Sequence, residues 1–250
     1  MTDLQLDVLR PEALALYRVL SSSDELEGMT LMGGTALALQ IGHRFSLDFD
    51  FATFEETLPT RKIDALVSRL KAEGHNIRLI TDSAMISRHK INTGNDLLKK
   101  VRDYVMNGVK VTFFTHGKTQ KQREYFLQAA KIRVKDRCFD LLGLDALKTT
   151  RILVLADRVR SRDLFDLMVL MKDYDYRVEE AMKLIRNLGH NDDPEYYKAV
   201  MTGSIPLDKE DEGLDAVDVA VTLDDMYAFF DTCIAGYEQR LAEEYFSGRD

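Results

Sequence analysis

The sequence predicts an α+β protein, with an α/β half carrying a small mixed sheet over residues 1–138 and a helical bundle over 139–250. Three observations carry this prediction. LDFDF at 47–51 alternates apolar and acidic side chains with the period of two that marks a half-buried strand. VKVTFFT at 109–115 is rich in β-branched and aromatic residues and follows the turn signal Asn107-Gly108, so it reads as a second strand. Beyond Asp140 the apolar residues recur at helical spacing, in segments at 141–156, 163–172, 178–188, 194–201 and 223–244.

The remaining elements follow in order. Residues 11–20 (PEALALYRVL) form a helix with Pro11 in the first turn, where its missing N–H costs nothing, and Ser21-Ser22-Ser23 ends it. Residues 29–32 form a short strand stopped by Gly33-Gly34, and 36–41 a helix stopped by Gly42. Residues 59–73 are an amphipathic helix closed by Gly74. Residues 75–81, 85–91 and 131–134 read as strands, and GSIPLDKEDEG at 203–213 as an acidic loop.

Composition bounds the function classes. A chain of 250 residues, 45% hydrophobic and 30% charged, can bury a substantial core. Its apolar runs are too short to span a bilayer, and residues 1–10 carry two acids and no apolar stretch of signal-peptide length. The expectation is a cytoplasmic protein without a membrane partner. Cys138 and Cys233 are far apart and show no metal-ligand spacing, so they read as unpaired thiols. The five histidines form no i,i+4 pair, which argues against a histidine zinc site. The net charge of −8 hides a split. Residues 88–137 hold thirteen Lys or Arg against four acids, and residues 173–250 hold seven against twenty. Beside a nucleotide site, such a split suggests that the basic stretch meets a polyanion; otherwise it is solvated surface.

Chemistry concentrates in residues 33–51, GGTALALQIGHRFSLDFDF. A glycine pair lets backbone amides approach a phosphate, and a helix starting there adds its positive end. Thr35 can cap that helix or donate its hydroxyl to a phosphate oxygen. On a strand, Asp48 and Asp50 project from one face and Phe49 and Phe51 from the other. Two such carboxylates suit Mg²⁺, which takes one or two of them together with substrate phosphates. Other readings fail. Counted as a calcium loop from Asp48, the segment has Thr53 where glycine is needed and Pro59 where glutamate belongs. It contains neither GxGxxG nor GKS/GKT. A lone GG or a lone DxD would mean little; the order strand, GG, short helix and DxD strand carries the weight.

That order resembles the nucleotidyltransferase superfamily of the DNA polymerase β type, and GGTALAL…GHRxSxDFDF resembles the AbiEii/AbiGii toxin family of bacterial abortive-infection and toxin–antitoxin systems. The resemblance implies that Gly33, Gly34 and Thr35 hold a nucleoside triphosphate and that Asp48 and Asp50 hold the metal, Mg²⁺ or Mn²⁺. His43, Arg44 and Ser46 match the run before the carboxylates, which places Arg44 and Ser46 with the nucleotide. A second match, LDALKTTRILVLADRVRSRDLFDLMVL at 144–170, carries the family's lysine as Lys148 and its R-D-x-x-D-L helix as Arg162, Asp163, Asp166 and Leu167. Arg162 and Asp166 are four apart and Asp163 and Asp166 three apart, so they share a helix face. Lys148 would neutralise the triphosphate, and Asp166 would accept a proton or orient the lysine. Taken alone, the segment is also an ordinary salt-bridged helix.

One feature departs from the superfamily pattern, in which many relatives carry a third carboxylate on a later strand. The strand at 109–115 offers only Lys110 and Thr112 at its central polar positions. The third ligand is dispensable, or comes from elsewhere such as Asp166, or metal binding is weakened. The implied activity is transfer of a nucleotidyl group from an NTP to RNA such as a tRNA end, or to a protein hydroxyl, by a toxin with a cognate antitoxin. The basic stretch with Tyr104 and Tyr125 interleaved favours RNA through phosphate attraction and stacking. Two alternatives stand beside it: a non-catalytic binding module of the same fold, and a small-molecule transferase that modifies an antibiotic such as an aminoglycoside.

Overall fold

A computed structural model describes residues 4–133 and 137–247. In the first of two units, Met1–Leu147, the chain runs α1 (Pro11–Ser21), β1 (Thr30–Met32), α2 (Gly33–Ile41), β2 (Asp48–Thr53), α3 (Thr60–Ala72), β3 (Ile77–Leu79) and α4 (Ser83–Thr93). It continues through β4 (Val101–Met106), β5 (Val109–Thr115), α5 (Gln120–Gln128), β6 (Lys131–Arg133) and β7 (Asp140–Leu142) to α6 (Leu144–Leu153). The second unit, Lys148–Asp250, holds α7 (Ser161–Asp173), α8 (Val178–Leu188), α9 (Pro194–Met201) and α10 (Leu223–Ser247). The protein is thus α+β, with a mixed sheet early and helices late. The break expected after residue 138 falls before β7, and β7 is a member of the sheet.

The sheet order is β3-β4-β5-β2-β1-β7-β6. β2 lies near its centre, antiparallel to β1 and parallel to β5, so both of its edges are paired. Its alternation decides which side chains are buried. Phe49 and Phe51 are fully buried, whereas Asp48 and Asp50 on the opposite face are half-buried. Tyr17 of α1 stacks on Phe49 at 6.1 Å between ring centroids, and Phe51 stacks on Phe113 of β5 at 5.7 Å. Phe139 meets Phe51 edge-on at 4.9 Å. This aromatic layer is the core of the first unit, and it leaves the carboxylate face on the other side.

Several elements differ from expectation. Residues 85–91, expected as a strand, lie in α4, because the Asp82 carboxylate accepts from Ala84 N and Gly94 closes the helix in the left-handed region. The helix buries none of its residues; Met85 is 56% and Ile91 82% exposed. β4 was not expected as a strand. It pairs with β5 through Asn107 and Gly108, both at positive φ, as a tight hairpin requires. β7 lies where the start of a helix was expected, and α5 was not foreseen. Val134, the last residue of the expected strand at 131–134, lies outside the described residues.

In the second unit α10 packs against α7, α8 and α9. Leu164, Leu167, Met182, Ile185, Met226 and Phe230 are buried there. The acidic loop docks on the start of α7, which has no side-chain cap of its own. The Asp211 carboxylate accepts from Ser161 N at 3.0 Å and from Ser161 Oγ at 2.8 Å, while Asp208 accepts from Val159 N at 3.1 Å. A carboxylate there meets the positive end of the helix. No helix among the described residues is long and apolar enough to cross a membrane.

Phe51→Ala removes the ring that joins β2 to Phe113 and Phe139. We expect a loss of about 3–5 kcal/mol of stability, measured by denaturant unfolding.

Candidate active site

The site starts at the junction of β1 and α2. Met32 pairs with Asp50 across the sheet, so the residue after Met32 lies against the Asp50 side chain. That residue is Gly33, at φ +73°, and a Cβ built on it would lie 2.7 Å from Asp50 Oδ2. Only glycine meets both demands. Gly33 and Gly34 form the first turn of α2, whose N-cap, Met32, makes no side-chain capping bond. The amides of a first helical turn have no partner within the helix and face an anion favourably.

Thr35 differs from expectation in what its hydroxyl does. It occupies the third helical position and is not the cap. Its buried hydroxyl donates to the Asp48 carbonyl oxygen and lies 2.5 Å from Ser46 Oγ. Ser46 N in turn donates to Val8 O at 3.0 Å. Thr35 and Ser46 therefore tie the start of β2 to α2, which sets the height of Asp48. Arg44 is buried, and its Nη1 donates to Phe45 O at 2.9 Å. His43 lies half-buried in the same connection.

The registers extend the row of polar side chains. Asp48 lies opposite Lys110 and Asp50 opposite Thr112 on β5, and Thr112 lies opposite Asp103 on β4. Paired residues share a sheet face. Thr112 Oγ1 donates to Asp103 Oδ1 at 2.9 Å, and Lys110 Nζ lies 3.8 Å from the same oxygen. Asp103 is the carboxylate that sequence reasoning missed; VRDYVM before Asn107-Gly108 was the hairpin signal that could have found it. Tyr104, expected among residues that could stack on bases, is buried edge-on against Phe113, and burial pushes its phenol above the ordinary value.

Asp48, Asp50 and the glycine turn fit a hard divalent cation that takes phosphate oxygens as its other ligands. The Cβ-free surface of Gly33 leaves the Asp50 carboxylate against open backbone. Among the described residues no three His, Cys, Asp or Glu side chains cluster to hold a metal by themselves.

The second set of expected residues belongs to the second unit. Lys148 is half-buried on α6, with its Nζ 5.9 Å from the ring centroid of Tyr176. One turn along, Arg151 lies between two acids: Nη1 is 2.7 Å from Asp163 Oδ1 and Nε 3.2 Å from Asp166 Oδ2. The side chain of Arg151 is 4% exposed and that of Asp166 0%. Arg158 Nε lies 2.8 Å from Asp163 Oδ2 and completes a charge-balanced group. Arg162, expected on the face of Asp166, pairs with Glu212 at 2.8 Å. Arg151 was not singled out from the sequence, where it is one basic residue among many.

Two tests follow. Gly33→Ala forces a left-handed alanine, at about 1–2 kcal/mol, and pushes on Asp50. The expected outcome is a folded protein whose melting temperature no longer rises with Mg²⁺ and NTP. Arg151→Met leaves two buried carboxylates without their shared guanidinium and costs about 3–5 kcal/mol in denaturant unfolding. Adding Asp166→Leu should restore part of that loss, because an apolar pair replaces half of the charged one.

Comparisons with known proteins bear on the family and the fold. An uncharacterized protein, aq_aa25 of Aquifex aeolicus (strain VF5), is 27% identical over 164 residues, covering 65% of this chain and 67% of its own. The crystal structure of a candidate nucleotidyltransferase from H. pylori shares the fold with a TM-score of 0.53 at 17% identity, over 92% of this chain and 94% of that one. JHP933 from Helicobacter pylori shares it with a TM-score of 0.51 at 17% identity, over 96% and 98%. The profile of the nucleotidyl transferase AbiEii toxin family, of type IV toxin–antitoxin systems, matches residues 14–242. Spanning both the glycine–carboxylate motif and the lysine–aspartate motif, that match makes the chain a member of the AbiEii nucleotidyl transferase toxin family.

Proposed function

We propose that this chain transfers a nucleotidyl group from an NTP to a hydroxyl of RNA, such as a tRNA end, and acts as the toxin of a toxin–antitoxin pair. The observation that carries the reading is the fit of Gly33 against the Asp50 carboxylate, with Asp48 on the same strand face. In this reading the first-turn amides of Gly33, Gly34 and Thr35 receive phosphate oxygens, and Asp48 and Asp50 hold Mg²⁺ or Mn²⁺. Thr35 and Ser46 act by holding β2 in place, because their hydroxyls are bonded to each other and that of Thr35 also donates to the Asp48 carbonyl. Arg44 supports the same connection. When bound, the divalent ion supplies charge stabilisation for the leaving pyrophosphate. The acceptor oxygen forms a bond to the α-phosphorus, and the bond from that phosphorus to the pyrophosphate oxygen breaks. Lys148 and Asp166 enter on the motif match, Lys148 as a charge for the triphosphate and Asp166, through Arg151, as a fixed point of the helical unit.

RNA is favoured as acceptor by the basic stretch at 88–137, of which Arg88, Lys90 and Lys99 are exposed. A non-catalytic reading has one observation in its favour, namely that Lys110 and Thr112 stand opposite the two aspartates where a third carboxylate would complete the set.

The test is incubation with each α-labelled NTP, Mg²⁺ and total cellular RNA. Label in RNA is the expected result, and Asp50→Ala should lower it on the order of a hundredfold or more. Label on protein alone would move the acceptor to a protein hydroxyl. No label, together with no thermal shift on adding Mg²⁺ and NTP, would leave the binding-module reading. In a bacterium, induced wild type should arrest growth and Asp50→Ala should not; co-expression of a cognate antitoxin should relieve the arrest.

A further inference from the structure

The row Asp50, Thr112 and Asp103 crosses three neighbouring strands on the face that carries the metal carboxylates. We propose that Thr112 and Asp103 form a proton relay for the attacking hydroxyl, with Thr112 meeting the acceptor and Asp103 acting through it. The inference rests on the nucleotidyl-transfer reading and assigns its proton path.

Distance separates this role from metal binding. Adjacent strands lie about 4.8 Å apart, so the backbone of Asp103 is roughly 10 Å from that of Asp50. Ligands of one Mg²⁺ lie about 2.1 Å from the ion, which is too short a reach for Asp50 and Asp103 to share it comfortably. The same spacing puts Thr112 midway, next to Asp50. A hydroxyl has one proton and two lone pairs. The Thr112 proton points to Asp103 Oδ1 at 2.9 Å, which leaves the lone pairs of Oγ1 to accept from another donor. Lys110 Nζ lies 3.8 Å from the same Asp103 Oδ1 and flanks the pair on the Asp48 side. The Asp103 backbone is pinned from the far side, with its N donating to Thr81 Oγ1 at 2.8 Å and its O accepting from Ile80 N at 2.8 Å.

The step balances. The acceptor oxygen bonds to the α-phosphorus as the bond to the pyrophosphate oxygen breaks, and pyrophosphate departs with that electron pair. The acceptor proton passes to Thr112 Oγ1 while the Thr112 proton passes to Asp103 Oδ1, and Asp103 returns it to solvent after release. Thr112 therefore stands where the carboxylate expected on β5 is missing, and delivers the proton to a carboxylate one strand further on.

The experiment is steady-state transfer from the α-labelled NTP to total cellular RNA with Mg²⁺, in wild type, Thr112→Val, Asp103→Asn, the double variant and Thr112→Ser. Thr112→Val and Asp103→Asn should each lower kcat by about a hundredfold or more, with KM for the NTP changed less than about twofold. The double variant should be no slower than the worse single, because the two residues act as one unit. Thr112→Ser keeps the hydroxyl and should restore most of the rate. All four variants should keep the thermal shift produced by Mg²⁺ and NTP, a binding readout independent of turnover. Unchanged kcat in either single variant, losses that multiply in the double, or loss of the thermal shift in step with kcat would overturn the relay. A wild type that labels nothing would overturn the parent reading as well, whereas an active wild type with an active Thr112→Val overturns the relay alone.

Discussion

The burial of Phe49 and Phe51 is the constraint on which the rest of the first unit depends. A strand has a side-chain period of two, so sinking both rings among Tyr17, Phe113 and Phe139 turns Asp48 and Asp50 to the other face. A slip of one residue would put both carboxylates into the aromatic layer, a cost of several kcal/mol per ion that nothing there offsets. The register of β2 is therefore enforced by apolar packing, and the chemistry of its open face is a consequence. Because β2 is paired on both edges, that register also sets what faces the aspartates: Gly33 after β1 on one side, and Lys110 and Thr112 on the other.

The two units stabilise their matched motifs in different ways. In the first, neutral hydroxyls do the fastening, with Thr35 bonded to Ser46 and to the Asp48 carbonyl. Such bonds satisfy buried polar groups without adding charge near the carboxylates. In the second, charge itself is buried, with Arg151 set between Asp163 and Asp166 and the exposed Arg158 reaching Asp163 from the surface. A buried set of this kind adds little net stability over an apolar one, but it fails badly when one member is removed. The Asp166 side chain is fully buried beside Arg151, whereas Asp48 and Asp50 are half-buried.

The parts of the fold that were legible in the sequence are those with a short-range cause. LDFDF shows its period directly, Gly33 interrupts an apolar run, and the late helices show repeating apolar faces. The segment that became α4 mixes apolar and basic residues closely enough to suggest alternation; its Asp82 cap and Gly94 stop decide for helix, although no apolar face is buried there. β4 escaped because Arg102 and Asp103 interrupt its apolar positions, and Asp103 escaped with it. The capping of α7 by Asp211 joins residues fifty positions apart, and no local pattern encodes such a contact. The conformation of Gly33 is likewise explained by a strand that comes later in the chain.

The exposure of α4 has a consequence for the order in which the molecule comes apart. Its amides are bonded along the helix, but no buried side chain adds tertiary support. A helix of eleven residues is marginal by itself in water. It should therefore open locally at far less free energy than β2, exchange its amide hydrogens early, and offer a protease its first cut. The sheet beyond it would remain closed, so the chain separates into a mobile basic arm and a rigid core that share a sequence but not a timescale.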